Sequence, residues 1–388
     1  MSRLGVAGLG AGASPGAGAP LTRRAGEGYL IPGGLVDVHC HIGLGPGGAV
    51  DRPTALAQAR TAAGAGIGLI RDCGAPTDTH WLEDPAQVRA AWAEGAAGMA
   101  AQGARGAVEP DGRCDRAGEG DRKPGAGGTP PLPRLIRAGR HLARPKRYLR
   151  GFAEELGSPG DLVEAVARQA RVGDGWVKIV ADWIDRSQGA DADIAPLWPA
   201  PVLAEAVAAA HEAGARVTAH TFSRAALGPL IEAGVDCLEH ATGAGPEEIA
   251  EIAARGIAVT PTFLQVDYFP SFAEQAGGKY PRYAATVTAL HAAHDEQVAA
   301  MHAAGVRLLP GSDAGGTLPH DTLPAELLAW RRSGLADAQI LRLATLSARE
   351  FLGVPVGVPA DPRQAGPVVY PRDPAEDLDA LLEAGPAA

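Results

Sequence analysis

The sequence predicts an α/β protein whose core is a closed barrel of eight strand–helix units. Short apolar runs rich in β-branched residues recur along the chain, and helical patterns ending in Gly separate them, as in HEAGARV, IEAGVDC, AARGIAV and HAAGVRL. Eight such runs, none lacking its helix signal, favour a closed barrel over an open sheet. A doubly wound nucleotide-binding fold is the alternative. It would need GxGxxG after the first strand, where HCHIGLGPGG stands instead.

Residues 1–28 are Gly/Ala-rich and are expected to be poorly ordered. From Tyr29 the texture changes to YLIPGGLVDVHCH, the first strand, which closes on two histidines. The second is IGLIRDCG (67–74). Residues 83–131 follow without sustained periodicity and read as a mobile insertion. The remaining strands are PRLIRAGRHL (133–142), WVKIVADW (176–183), ARVTAHTF (215–222), DCLEHATG (236–243), IAVTPTF (257–263) and VRLLPGSDAG (306–315). Amphipathic helices are predicted at 201–214, 223–234 and 245–256. The stretch 35–350 without the insertion is 267 residues, near the ~250 of a plain barrel. The barrel is thus placed at 29–355, with a C-terminal strand remnant and tail at 356–388.

Hydrophobic residues make up 46% of the 388, enough to exclude a wholly disordered chain although Gly and Pro number 52 and 32. The net charge of −10 argues against nucleic acid or an anionic membrane as partner, leaving a small-molecule substrate. No run is long enough for a membrane span, and the N-terminus lacks a bulky apolar core. A cytoplasmic enzyme with reduced thiols is therefore expected, and its oligomeric state is not derivable. Among 35 basic residues only four are Lys, at 123, 146, 178 and 279. A Lys kept inside the apolar strand VKIV therefore needs its own explanation.

His39 and His41 end strand 1 on the same face, because side chains alternate along a strand. His220 ends strand 5, His240 ends strand 6, and Asp313 lies in GSDAG at the end of strand 8. Any one of these could be a packed or capping residue. Together, on the rim where barrels build their sites, four imidazoles and a carboxylate are the ligands of a divalent metal, usually Zn. Lys178 on strand 4 would be destabilised as an ammonium by burial and by nearby metals. As a neutral amine it can add CO2 and become a carbamate, an anionic donor able to bridge two metals, which a permanently protonated Arg cannot do. Otherwise it reaches to the rim and pairs with Asp182 or Asp185.

The runs YLIPGGLVDVHCH, LIRDCG, VKIV, VTAHTFSRAAL, GVDCLEHATG, LLPGSDAG, TLPHDTLPAELLAW and LRLATLSAREFLGV together resemble the amidohydrolase superfamily, in particular its imidazolonepropionase and Xaa-Pro dipeptidase-like members. The resemblance spans roughly 29–355 apart from the insertion. It implies a distorted TIM barrel and a binuclear centre of two divalent metal ions. His39, His41 and Asp313 would hold one metal and His220 and His240 the other, bridged by carbamylated Lys178 and a hydroxide. Asp313 would double as the proton shuttle. Relatives also carry a small β-sandwich built from both chain ends. Here PVVYPRDPAEDL (367–378) is the part that matches, so the sandwich is expected to be reduced.

The reaction so implied is hydrolysis of an amide, cyclic amide or related C–N bond. The same centre would also serve an ester or lactone hydrolase, a decarboxylase or hydrolyase, or a metal-binding barrel without turnover. Substrate contacts are expected from His141 at the end of strand 3, from Tyr148 in the basic loop RPKRYLR, from Trp183 after strand 4, from Tyr268 after strand 7 and from His320 in LPHDTLP.

Overall fold

The computed structural model describes residues 20–105, 132–355 and 368–386. Among these, the predicted runs become β1 (Leu35–Cys40), β2 (Ile67–Asp72), β3 in two pieces (Arg134–Arg137 and His141–Ala143), β4 (Trp176–Val180), β5 (Arg216–Thr221), β6 (Cys237–His240), β7 (Ala258–Thr260) and β8 (Arg307–Leu308). All pair in parallel, in two arcs. One arc runs from β8 back through β7, β6, β5 and β4 to the second piece of β3, and the other joins β1, β2 and its first piece. Backbone hydrogen bonds close both seams. Val38 N–H donates to Pro310 O (3.1 Å) and Asp313 N–H to His39 O (2.7 Å). Across β3, Ala138 N–H donates to Asp72 O (2.9 Å) and Ala75 N–H to Gly139 O (3.0 Å). The architecture is a distorted (β/α)8 barrel.

The outer layer comprises α1 (Arg52–Gly64), α2 (Pro85–Arg105), α3 (Asp161–Val172), α4 (Ala200–Glu212), α5 (Arg224–Ala233) and α6 (Pro246–Arg255). Two further helices, α7 (Phe269–Ala276) and α8 (Pro281–Ala303), lie between β7 and β8. In α3 the buried residues Leu162, Ala165, Val166 and Gln169 recur at helical spacing and face the strands.

Two expectations change. The segment read as an insertion from residue 83 begins with the 3-10 turn His80–Glu83 and then α2, which buries Val88 and Ala91 beside α1. Its face is made of Ala with few larger residues, so the helical period leaves almost no contrast in the sequence. The rest of the segment, 106–131, lies outside the described residues. Likewise, the N-terminal stretch expected to lack order contains a hairpin, Arg23–Ala25 paired with Gly28–Leu30. The strand around Tyr370 pairs with Tyr29, and Val368–Val369 pairs with Gly385–Pro386. The two chain ends thus form the reduced sheet, and residues 1–19 lie outside the described residues. RRAGEGYL has no alternating pattern, and its order comes from pairing more than 300 residues away.

Candidate metal centre and cavity

Alternation along β1 places His39 and His41 on the barrel interior, and their rings pack edge to face at 5.2 Å. After β8 the chain turns at Asp313, whose φ of 53° lies in the left-handed region uncommon for non-glycine residues. Asp37 sets this turn by accepting from Ser312 N–H (3.0 Å) and Ser312 Oγ–H (2.5 Å). The turn also packs closely against β1. A Cβ on Gly311 would lie 2.5 Å from His39 Cβ, and one on Gly315 would lie 2.8 Å from His41 Cβ. As a result Asp313 Oδ1 sits 3.1 Å from both His39 Nε2 and His41 Nε2.

His41 Nδ1–H donates to Gly74 O (2.7 Å), and His39 Nδ1 lies 2.8 Å from Glu239 Oε2. His39 Nε2, His41 Nε2 and Asp313 Oδ1 thus converge on one point. This donor set suits a divalent cation.

Lys178 and the two remaining histidines border the same point. Lys178 is buried, with Nζ 3.5 Å from His39 Nε2. Among the described residues no carboxylate is within ion-pair distance of it. Asp182 accepts instead from Phe222 N–H, Ser223 N–H and the hydroxyls of Thr221 and Ser223, and Asp185 from Ser187 with Arg147 at 3.4 Å. His240 Nδ1–H donates to Thr262 Oγ (2.7 Å), whose hydroxyl donates to Pro261 O (2.8 Å). Its Nε2 therefore faces Asp313 Oδ2 at 4.0 Å. The His220 and His240 ring centroids are 4.9 Å apart, and His220 Nε2 is buried without a hydrogen-bond partner. Burial lowers the pKa of both, His240 to about 3, and so favours the neutral, ligating form. Burial alone would raise the Asp313 carboxyl. The charge on His39 and hydrogen bonds from His39 and His41 outweigh it and hold the group well below the usual carboxylate range.

Beneath His39 lies a carboxylate that strand alternation hides. Glu239 and His240 are consecutive on β6 and would be expected to point to opposite faces. The left-handed φ of His240, 66°, turns it back, so both approach His39. Glu239 is fully buried, accepting from Thr218 Oγ–H and from Arg71 Nη2–H (2.5 Å). Arg71 is equally buried, donates through Nε to Val38 O (2.7 Å) and stacks over Trp176 at 4.5 Å. Cys73 is also close, but burial pushes its thiol well above the usual range and keeps it protonated, a poor ligand. Glu239 therefore orients His39, and Arg71 balances its charge. Replacing Glu239 with Ala strands the Arg71 cation in the barrel and should cost about 3–5 kcal/mol of stability. Chemical denaturation measures it, and a change below about 0.5 kcal/mol would show that the pair is not a buried ionic one.

Above the histidines opens a cavity of about 350 Å³, with His41, His220 and Asp313 at its floor. Its walls are largely aromatic. Tyr148 and Trp183, both anticipated, line it with ring centroids 4.9 Å apart. Phe222 and, beyond α7, Tyr280 and Tyr283 were not anticipated, and they carry no local motif. Three expected contacts are placed differently. Tyr268 is exposed just before α7 and is not a lining residue, because the helical phase turns Phe272 inward instead. His320 donates to His41 O (3.0 Å) and so braces the end of β1. His141 is fully buried behind His41, ring to ring at 4.9 Å, with both ring nitrogens unpartnered. In the basic loop, Arg147 donates to Trp183 O (3.2 Å) and Ala195 O (3.4 Å) and so anchors the wall.

The amidohydrolase family model matches residues 29–360. An uncharacterised protein of Mycobacterium tuberculosis is 43% identical over 349 residues, 90% of this chain and 80% of its own, and one of Mycobacterium bovis matches equally. Among solved structures, a Xaa-Pro dipeptidase with methionine bound in its active site superimposes with a TM-score of 0.64 at 17% identity, covering 92% of this chain and 84% of its own. The ochratoxinase of A. niger gives 0.60 at 19% identity, over 91% and 79%. Among the described residues no helix is long and apolar enough to cross a membrane.

Proposed function

Because the chain belongs to the amidohydrolase family, and is accordingly an enzyme acting on carbon–nitrogen bonds, we propose that it hydrolyses an amide or cyclic amide at a binuclear metal centre. The observation that carries this is the convergence of His39 Nε2, His41 Nε2 and Asp313 Oδ1, with Oδ1 3.1 Å from both ring nitrogens. His39, His41 and Asp313 would hold one divalent metal, Zn being the usual choice for such donors, and His220 and His240 the second. Lys178, buried without a carboxylate partner, would join them as its CO2-derived carbamate. Two such ions lower the pKa of a water between them and polarise a substrate carbonyl.

The protein supplies the rest. Asp313 opens to the cavity floor, where it accepts the proton of the attacking water and returns it to the departing nitrogen. His220 and His240, kept neutral by burial, stay available as ligands through neutral pH. Glu239 and Thr262 fix the ring orientations of His39 and His240. Tyr148 and Trp183 hold an apolar or aromatic part of the substrate against the wall.

A panel of N-acyl amino acids, Xaa-Pro dipeptides and cyclic amides tests the reading, the dipeptides being included because a Xaa-Pro dipeptidase is among the similar structures. At least one class should be hydrolysed. Chelator treatment should remove about 99% or more of that activity, and added divalent metal should restore it. Full turnover by protein shown to be metal-free would contradict the proposal.

A further inference from the structure

The cavity carries one charged group that the hydrolytic reading leaves without a task. Arg186, in the 3-10 segment Arg186–Asp191, is the only Lys or Arg among the described residues that line the cavity. Its side chain is exposed, and among the described residues its guanidinium makes no hydrogen bond or ion pair. Two carboxylates of the same stretch of chain are engaged elsewhere. Asp185 accepts from Ser187 N–H and Oγ–H and faces Arg147. Asp193 accepts from Arg282 (3.2 Å) and Thr286 Oγ–H (3.0 Å). Arg186 also borders two adjoining grooves, one lined by Arg140, Lys146 and Arg150 against Glu154 and Glu155, the other by Arg144, Lys146 and Arg147 against Asp185. In a chain of net charge −10, this mouth is locally cationic.

We infer that Arg186 is the anion-binding residue of the substrate cavity, and that the substrate is an amide with a free carboxylate on one side and an apolar or aromatic group on the other. The planar guanidinium fork matches a carboxylate bidentately. The aromatic wall accounts for the apolar part, and a cavity of about 350 Å³ suits a molecule of one ring plus a short acidic chain. The carboxylate then points to the mouth and the scissile carbonyl to the floor. This inference rests on the hydrolase reading for the position of the scissile bond, but the anion site itself stands on Arg186 alone.

The test uses a non-hydrolysable pair, 3-benzoylpropionate and its neutral counterpart butyrophenone. Calorimetry measures their binding to the protein as isolated, to Arg186→Gln and to Arg186→Lys. In the wild type the acid should bind roughly tenfold more tightly than the ketone. That ratio should fall towards one in Arg186→Gln and return in part in Arg186→Lys. An unchanged ratio in Arg186→Gln, in protein with an unaltered melting temperature, overturns the inference. In parallel, hydrolysis of N-benzoylglycine is compared with that of N-benzoylmethylamine. Carboxylate-selective binding without hydrolysis of any amide would retain the anion site and refute the hydrolase. Hydrolysis of both amides with equal kcat/KM would retain the hydrolase and refute the anion site.

Discussion

Asp313→Asn should lower kcat/KM for amide hydrolysis by about 10³- to 10⁴-fold while leaving fold and most bound metal in place. Asn keeps the shape and one neutral oxygen donor, so the converging site with His39 and His41 loses little of its geometry. It cannot accept a proton from water or deliver one to a departing nitrogen. Several features aim the Asp carboxylate for that exchange. Its backbone is held at φ 53° by the Asp37–Ser312 contact. Its amide is tied to His39 O at 2.7 Å. One oxygen meets both β1 histidines at 3.1 Å, and the side chain retains 16% exposure towards the cavity. Strain of this kind persists where the surroundings over-determine it. Elemental analysis and circular dichroism alongside the kinetics separate lost chemistry from lost metal or fold. Turnover within about tenfold of wild type would remove Asp313 as the proton carrier.

Much of this site was legible in the sequence because it obeys strand periodicity. His39 and His41 share a face by alternation, and His220, His240 and Asp313 each close an apolar run at the same end of its strand. Lys178 stood out because Lys is scarce in this chain, and the structure leaves it buried without a carboxylate partner. What periodicity could not supply are the residues placed by its local failure. Glu239 reaches the interior together with His240 only because the latter adopts a left-handed φ. Arg71, one among 31 arginines, is distinguished by where the fold buries it and not by any local pattern.

The aromatic wall was half visible. Trp183 closely follows β4 and Tyr148 lies in the loop after β3, whereas Phe272, Tyr280 and Tyr283 come from the helical connection before β8. There a shift of a few residues in helical phase decides between Tyr268 and Phe272. The second helix was obscured for a different reason. Ala and Gly along α2 give burial without hydropathic contrast, so packing against α1, and not pattern, defines it.

As the proposed link between two metals, Lys178 should show a correspondingly large effect when it is replaced. Lys178 lies on β4, and Thr218, its register partner on β5, caps Glu239. Among the described residues the amine has only His39 as a partner, at 3.5 Å. Arg at this position keeps the length and the positive charge but cannot form a carbamate. Ala removes the donor and leaves space. The deciding measurement is metal content per chain by elemental analysis, on wild type, Lys178→Ala and Lys178→Arg purified with bicarbonate and Zn. About two ions per chain are expected in the wild type, with loss of at least one in both variants. Two ions retained in Lys178→Arg, with full activity, would exclude a carbamate at this position.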